Sequence, residues 1–263
     1  YGNKIINFSD QKVIKEIIRK NRFSYKQNNW SNFVVKKAFN NTGLKNLNYN
    51  GVSINSKTTK KNNLFFAIKG ENVDGHKFVK EAIKKGAIKS VISKKVKQLP
   101  KNKSILVKNT FTSLNDLARA TRDNTLARII GITGSVGKTT LKNLIGFSLK
   151  YYGKVYHSPH SYNNKFGVPF SLSNLKNNNK YGVFEIGMDK KGEIYNLSKI
   201  VKPELAVITN ISQAHIKNFK NIKDIAKAKA EIIDNITEDG TIILNKDDKF
   251  FNFFSRIAKR RKI

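Results

Sequence analysis

The 263-residue chain contains no cysteine, which excludes disulfide bonds and metal sites built from thiolates. No apolar run approaches the ~18 residues that a membrane-spanning helix needs, and no stretch has the pattern of a signal peptide. We therefore expect a cytoplasmic protein without membrane insertion. The length allows one large domain or two ordinary domains, each with its own hydrophobic core.

Acidic residues are scarce, because 18 Asp and Glu stand against 51 Lys and Arg, giving a net charge of +33. Such a charge is typical of proteins that bind nucleic acids or anionic membranes. Only eight of the basic residues are arginine, however, and the lysines are scattered over the whole length. Because arginine is better suited to bidentate recognition of phosphates and bases, we expect no nucleic-acid partner. A basic nucleic-acid-binding module remains the alternative.

The most informative stretch is residues 129–149, which predicts a strand, a loop and a helix. The strand is a β-branched run, and the helix has apolar residues at helical spacing. These positions are Ile129, Ile130 and Ile132 in the strand, and Leu141, Leu144, Ile145 and Leu149 in the helix.

The loop in this stretch reads Gly-Ser-Val-Gly-Lys-Thr-Thr over residues 134–140. Small residues allow backbone N–H groups to surround a polyphosphate at a helix N-terminus, a lysine neutralises its charge, and a hydroxyl reaches Mg²⁺. The strict phosphate-loop pattern has four residues between its glycines, so this is a shorter variant. An ordinary turn between strand and helix is the alternative. The predicted nucleotide-binding residues are Gly134, Ser135, Gly137, Lys138, Thr139 and Thr140.

Strand and helix signals alternate along the rest of the chain. We predict a leader over residues 1–28 that includes a short amphipathic helix, a small α/β domain over residues 29–110, and a larger domain over residues 111–263. Strands alternating with helices indicate a doubly wound, mostly parallel sheet in the larger domain. In such sheets, ligands bind beyond the carboxyl ends of the strands.

Two candidate metal ligands follow predicted strands of the larger domain. Glu185 ends the apolar segment 181–185, and His215 follows the segment 205–209 by a few residues. Carboxylate oxygens are preferred ligands of Mg²⁺. The alternatives are an ion pair between Glu185 and a lysine, and a surface position for His215.

Lys229 lies in the middle of the apolar face of a predicted helix around residues 222–233. A buried ammonium is costly, so this amine should lose its proton, find a partner or be modified. A neutral amine can take up CO₂ and become a carbamate, which resembles a carboxylate and can bind Mg²⁺. Extension of the side chain to the helix edge is the alternative.

Three asparagines complete the candidate set. Asn245 ends the last clear strand, where its amide could bind adenine, although the same residues could form only a turn. Asn163 and Asn164 precede a predicted helix, where they could form a loop that faces the substrate or simply cap the helix.

Together these segments resemble the Mur ligases, ATP-dependent enzymes that form amide bonds in peptidoglycan precursor synthesis. The resemblance is strongest to the branch that joins D-alanyl-D-alanine to UDP-N-acetylmuramoyl-tripeptide, and it covers about residues 40–250. The matching segments are residues 53–57, 63–78, 132–140, 163–169, 184–187, 214–215, 226–232 and 244–247.

The resemblance implies a role for each candidate. Lys138 would bind the phosphates of ATP, Thr139, Glu185 and His215 would bind Mg²⁺, Lys229 would carry the carbamate, and Asn245 would bind adenine. Ser56 and Lys57 would bind the UDP end of the precursor, while Asn163 and Asn164 would face the substrate. Lys138, His215 and Lys229 would thus act in catalysis. The expected protein is a monomer.

The chain departs from the family in two ways. Asn55-Ser56-Lys57 stands where the family usually has Asp-Ser-Arg, which replaces a bidentate fork by a point charge. The family also has a third domain, and this chain stops before it, so we expect a fragment with little activity alone.

Residues 1–20 are similar to the C-terminus of the preceding ligase of the pathway, which predicts a fusion of two ligases. Ligases of the folylpolyglutamate synthetase type, which lack the small first domain, are the alternative within enzymes.

Overall fold

The computed structural model describes residues 30–39, 47–213 and 218–263. The predicted leader helix and His215 lie outside the described residues. Within the described residues, no helix is both long enough and apolar enough to cross a bilayer.

The first part of the chain forms a four-stranded parallel sheet in which the strands follow one another in chain order. One helix precedes the first strand, and another connects the second strand to the third. The strands are β1 (Gly51–Ser53), β2 (Asn63–Phe66), β3 (Lys89–Ile92) and β4 (Ser104–Leu106), and the helices are α1 (Trp30–Ala38) and α2 (Val79–Lys84).

The second part forms a five-stranded sheet in the order β6-β7-β5-β8-β9, and every neighbouring pair is parallel. The chain therefore builds one side of β5 first and then crosses to the other side after β7. The strands are β5 (Arg128–Thr133), β6 (Val155–His157), β7 (Tyr181–Glu185), β8 (Leu205–Ile208) and β9 (Thr241–Leu244). This confirms the predicted α/β fold with a doubly wound parallel sheet.

Helices cover both faces of this sheet. On one face, α4 packs against Ile130, Ile132 and Val183, while the other helices bury the larger cluster on the opposite face. The helices of this part are α3 (Thr110–Asn124), α4 (Lys138–Ser148), α5 (Gly167–Ser173), α6 (Glu193–Val201), α7 (Ile222–Ala230) and α8 (Phe251–Arg260).

Strand position explains the burial pattern. The central strands β5 and β7 are almost wholly buried because helices cover both of their faces, and their sequences are correspondingly apolar. The edge strand β9 alternates exposed and half-buried residues. The apolar runs of the sequence therefore locate the centre of the sheet.

Helix α3 belongs to both hydrophobic cores. Leu114 and Leu117 pack in the cluster beneath the first sheet, whereas Ala118 packs in the main cluster of the second. The predicted domain boundary at residue 110 coincides with the start of this helix, but the division itself stays a prediction. The shared helix fixes the two sheets against each other and so shapes the cleft between them.

Candidate functional site

The loop between β5 and α4 requires glycine at two positions. Gly134 has φ 145°, and a Cβ at this residue would lie 1.9 Å from Oγ1 of Thr209. Gly137 has φ 85° and directly precedes the first turn of α4. Both backbone conformations are rarely adopted by residues with side chains. The strand, the short glycine loop and the helix N-terminus predicted from sequence are confirmed.

The segment that follows β8 holds this loop in place. The backbone N–H of Val136 donates to Oδ1 of Asn210 at 3.1 Å, and the hydroxyl of Thr209 donates to the carbonyl of Val136 at 2.6 Å. Ser135 accepts a hydrogen bond from the backbone N–H of Ser212 at 2.9 Å. The loop is therefore ordered by protein contacts before any ligand binds, which reduces the entropic cost of binding.

Lys138 folds back over the loop. Its Nζ donates to the carbonyl oxygens of Gly134 at 2.8 Å and Ser135 at 3.1 Å. Burial lowers the pKa of this amine, and the nearby carboxylate of Glu185 partly offsets the effect. A cation is thus held at the mouth of the loop, where it can exchange carbonyl oxygens for phosphate oxygens.

Thr139 and Asn163 each donate a hydrogen bond to one carboxylate oxygen of Glu185. The hydroxyl of Thr139 donates to Oε2 at 2.7 Å, and Nδ2 of Asn163 donates to Oε1, also at 2.7 Å. Glu185 is 1% exposed, and among the described residues it forms no ion pair with a lysine. A hydroxyl and a carboxylate side by side form a hard oxygen donor set that fits Mg²⁺. Within the described part of the chain, no group of three or more His, Cys, Asp or Glu gathers at one point.

Lys229 lies beneath the same loop. It is 1% exposed, and its Nζ donates to the carbonyl of Gly134 at 2.9 Å. Burial and the neighbouring charge of Lys138 lower its pKa to about 7. The alternative that this side chain extends to solvent is therefore wrong, and a substantial fraction of the amine is neutral near pH 7.

Lys142 is a buried lysine that sequence reasoning missed. It is 1% exposed, its Nζ donates to the carbonyl of His160, and burial lowers its pKa. The available signal was its position four residues after Lys138, on the same face of α4. This amine joins the helix to the segment that carries Asn163.

Two asparagines that were predicted to bind ligands accept hydrogen bonds from the backbone of the chain itself. Oδ1 of Asn164 accepts the backbone N–H groups of Phe166 and Gly167 at the start of α5, which matches the capping alternative. Oδ1 of Asn245 accepts the backbone N–H of Asp247 in an exposed turn after β9. The ligand roles of both asparagines stay predictions.

The predicted precursor-binding residues follow β1, the first strand of the first sheet. Ser56 is 4% exposed, and its hydroxyl donates to Oε2 of Glu81 at 2.9 Å, whereas Lys57 is exposed. Their roles stay predictions, as does that of Thr140, which is exposed in the first turn of α4.

A cleft of about 1140 Å³ runs between the two parts of the chain and reaches the phosphate loop. Glu71 of the first part and Lys165 of the second face each other across it with a 3.1 Å ion pair. Lys138 and Asn163 line the same cleft. A molecule in the cleft would therefore contact the loop after β2, Lys138, and Asn163, the residue that donates to Glu185.

Two family patterns match the chain. The Mur ligase middle domain matches residues 132–263, and the pattern described as "Mur ligase family, catalytic domain" matches residues 48–127. Together they cover the first sheet and all of the second except residues 128–131 of β5.

Curated relatives named UDP-N-acetylmuramoyl-tripeptide--D-alanyl-D-alanine ligase are similar over most of the chain. The protein from Rickettsia prowazekii is 40% identical over 217 residues, which cover 82% of this chain and 48% of the relative. The protein from Bacillus subtilis is 36% identical over 216 residues, covering 82% and 47% respectively. The chain thus spans about half the length of these relatives.

Solved structures show the same similarity in three dimensions. A crystal structure of MurF from Acinetobacter baumannii has a TM-score of 0.76 at 28% identity and covers 88% of this chain and 52% of the other. MurF ligase from Thermotoga maritima, solved in complex with ADP, has a TM-score of 0.69 at 30% identity, with coverage of 82% and 50%.

Proposed function

Because the chain belongs to the Mur ligase family, we propose that it carries the nucleotide-binding and precursor-binding parts of an ATP-dependent ligase. The reaction is the joining of D-alanyl-D-alanine to UDP-N-acetylmuramoyl-tripeptide, as the names of the relatives indicate. One observation carries the proposal most directly. Thr139, Asn163 and the carboxylate of Glu185 meet beside the amine of Lys138 at the N-terminus of a helix.

The loop would bind the phosphates of ATP. Its backbone N–H groups lie at the positive end of α4, and the amine of Lys138 needs only to turn from two carbonyl oxygens to phosphate oxygens. Ser135 and Thr140 would add hydroxyl contacts. Asn245 would bind adenine once its exposed amide turns away from Asp247.

Mg²⁺ would be held by the hydroxyl of Thr139 and the carboxylate of Glu185, with His215 as a further ligand. When bound, the ion would neutralise charge on the transferred phosphoryl group. Asn163 would keep the carboxylate oriented through its hydrogen bond to Oε1.

Lys229 would be carbamylated in the active protein. Its neutral amine nitrogen would form a bond to the carbon of CO₂ and lose a proton, leaving a carboxylate-like group at a buried position. The lowered pKa of about 7 supports this chemistry, because only the neutral amine is nucleophilic.

In the proposed reaction, a carboxylate oxygen of the tripeptide attacks the γ-phosphorus, and the bond from that phosphorus to ADP breaks. The amine of the dipeptide then attacks the carbonyl carbon of the acyl phosphate, phosphate leaves, and a proton is lost. Catalysis of such steps rests mainly on positioning and on charge neutralisation. Ser56 and Lys57 would bind the UDP end, and Asn163 and Asn164 would face the substrate across the cleft.

The four-stranded first sheet and its match to a Mur ligase domain favour this function over that of folylpolyglutamate synthetase-type ligases. A nucleic-acid-binding module is disfavoured by the buried carboxylate next to the phosphate loop, which would repel a polyanion in the absence of a metal ion.

Calorimetric titration tests the proposal. ADP with Mg²⁺ should bind the wild-type chain, and Lys138→Met should weaken binding by roughly ten- to a hundred-fold, because a charge-assisted contact is lost. Lys97→Met, which removes an exposed lysine in the first part of the chain, is the matched control and should bind normally. UDP-N-acetylmuramoyl-tripeptide should bind independently. The proposal fails if wild type binds neither ligand, or if both lysine variants bind ADP equally.

A further inference from the structure

The face of α4 that points away from the sheet is unusually apolar. Among large hydrophobic side chains in the described residues, the four most exposed all lie between residues 144 and 152. Leu144 is 60% exposed, Phe147 61%, Tyr151 81% and Tyr152 67%. Single exposed apolar residues are ordinary on a protein surface, but four in nine positions form a patch.

Helical geometry places these side chains together. Leu144, Phe147 and Tyr151 are spaced by three and four residues, so they lie on one side of the helix and of the 3₁₀ turn that extends it. The rings of Phe147 and Tyr151 contact each other edge to face, with centroids 6.4 Å apart. The opposite side of the helix holds Leu141 and Ile145, which pack on the sheet. The exposed residues Leu144, Phe147 and Tyr151 therefore take no part in packing α4 on the sheet.

Only positive charges surround this patch in the chain. No Asp or Glu occurs from residue 124 to residue 184, a stretch that contains eight Lys and Arg and forms α4, β6 and almost all of β7. Lys150, Lys154 and Lys180 are exposed beside the aromatic residues. Nζ of Lys180 donates to the carbonyl of Tyr152 at 2.9 Å, which fixes one cation at the edge of the patch.

We propose that this outer face, defined as Leu144, Phe147, Tyr151 and Tyr152 with Lys150, Lys154 and Lys180, adsorbs to a bilayer surface that contains anionic lipid headgroups. Aliphatic and aromatic side chains enter the boundary between headgroups and acyl chains, while neighbouring lysines contact lipid phosphates. The inference is independent of the proposed ligase reaction, and it concerns this local face, not the diffuse net charge of the chain.

The composition of the face favours lipid over nucleic acid. Leu144 offers no stacking surface to a base, and Arg128 is the single arginine from residue 124 to residue 184. Nucleic-acid surfaces rely on arginine forks and on aromatic stacking in a groove, whereas lysine with tyrosine and phenylalanine is typical of membrane interfaces. None of the residues of this face lines the cleft, so adsorption would leave the cleft open.

Vesicle sedimentation of the 263-residue chain tests the proposal. Wild type should bind vesicles made from an equal mixture of phosphatidylcholine and phosphatidylglycerol. It should bind vesicles of pure phosphatidylcholine only weakly. Replacing the three helix-face residues by glutamine should lower the partition coefficient at least about ten-fold while net charge is unchanged. The changes are Leu144→Gln, Phe147→Gln and Tyr151→Gln, and the matched control carries Val73→Gln, Leu106→Gln and Ile243→Gln at other exposed apolar positions.

Two lysine variants separate local from diffuse charge. Loss of the three patch lysines should lower the partition coefficient on the order of 100-fold, because each lysine near an anionic surface contributes to binding. An equal change of net charge elsewhere should have a much smaller effect. The patch variant carries Lys150→Gln, Lys154→Gln and Lys180→Gln, and the control carries Lys95→Gln, Lys97→Gln and Lys101→Gln, all at exposed positions.

Fluorescence measures whether the patch itself enters the membrane. Tyr151→Trp in a Trp30→Phe background places the single tryptophan on the face, and its emission should shift to shorter wavelength and be quenched by brominated lipids. All of these changes lie at exposed or half-buried positions, and thermal unfolding will show whether each variant is folded. Equal binding by patch and control variants, an unquenched tryptophan, or tighter binding to duplex DNA with the same residue dependence would overturn the proposal.

Discussion

Lys138 and Lys229 donate to the same acceptor, the carbonyl oxygen of Gly134, at 2.8 and 2.9 Å. Two amines that converge on one oxygen repel each other when both are charged, and both are partly or wholly buried. Repulsion adds to burial in lowering the pKa of Lys229 to about 7. The loop thus holds two amines close together, and one of them, Lys229, is partly neutral near pH 7.

The first prediction concerns stability and pH. In the unfolded chain Lys229 regains its ordinary pKa of 10.5, so between about pH 7 and 10.5 the unfolded chain binds more protons than the folded one. The free energy of unfolding should therefore rise with pH in this window, by up to about 1.4 kcal/mol per pH unit from this residue. Below pH 7 its contribution should be constant. Urea unfolding in bicarbonate-free buffer without Mg²⁺ measures the effect.

Lys229→Met is the control for this experiment. It removes the titrating group, so the rise above pH 7 should flatten, and the variant should be more stable than wild type below pH 7, where the buried ammonium is most costly. Lys227→Met, at an exposed position of the same helix, should leave the profile unchanged. Identical profiles for all three proteins would show that Lys229 is not the titrating group.

The second prediction concerns the metal. If Thr139 and Glu185 hold Mg²⁺ with the nucleotide, Glu185→Gln should abolish most of the gain in ADP affinity that Mg²⁺ provides, because an ionised oxygen ligand is lost. Affinity without Mg²⁺ should not fall and should rise slightly, because a carboxylate that repels the phosphates is removed. Calorimetry with and without MgCl₂ gives the ratio of the two ADP affinities. Glu238→Gln, at an exposed position, is the control. A ratio equal to that of wild type would remove Glu185 from the site.

The third prediction separates two glycines of the loop. Gly134→Ala should destabilise the fold by about 3 kcal/mol or more, since its Cβ would overlap Thr209. Gly137→Ala should cost about 1–2 kcal/mol, because its positive φ is strained but no atom lies within 4 Å of the added Cβ. Chemical unfolding of both variants provides the comparison, and adding Thr209→Ala should recover part of the loss at Gly134 alone. Equal costs at both glycines would contradict the close approach.

The fourth prediction concerns the helix shared by the two cores. Nε of Arg122 donates to the carbonyl of Val201 and Nη2 donates to that of Lys202, each at 2.7 Å, at the C-terminal end of α6. Arg122→Ala should therefore destabilise the protein by about 2–3 kcal/mol. Arg119→Ala, which removes a half-exposed ion pair with Asp116, should cost less than about 0.5 kcal/mol. Similar losses for the two variants would rule out a structural role for the Arg122 contacts.

The sheets were predictable because their central strands are short apolar runs. The strand predicted at residues 129–132 and the apolar segments 181–185 and 205–209 coincide with β5, β7 and β8. The burial of Lys229 was also predictable, because its position within a 3.6-residue period depends only on local sequence. Such features need no knowledge of which distant segments meet.

Features that depend on distant segments were not predictable. The spacing of Lys142 from Lys138 indicates only a shared helix face, and nothing in the local sequence shows that the carbonyl of His160 accepts a hydrogen bond from its amine. Leu144 has the spacing of a core residue but is 60% exposed, because it lies on the face of α4 that points away from the sheet. The hydroxyl of Ser56 likewise finds Glu81 through tertiary contact.

Helix α3 supplies side chains to both hydrophobic interiors at once. Separating the two sheets would therefore expose the hydrophobic core of whichever half lost this helix. Exchanging one half between related proteins would succeed only if residues 110–124 pack well against both halves of the hybrid. The two halves must therefore be engineered as one unit.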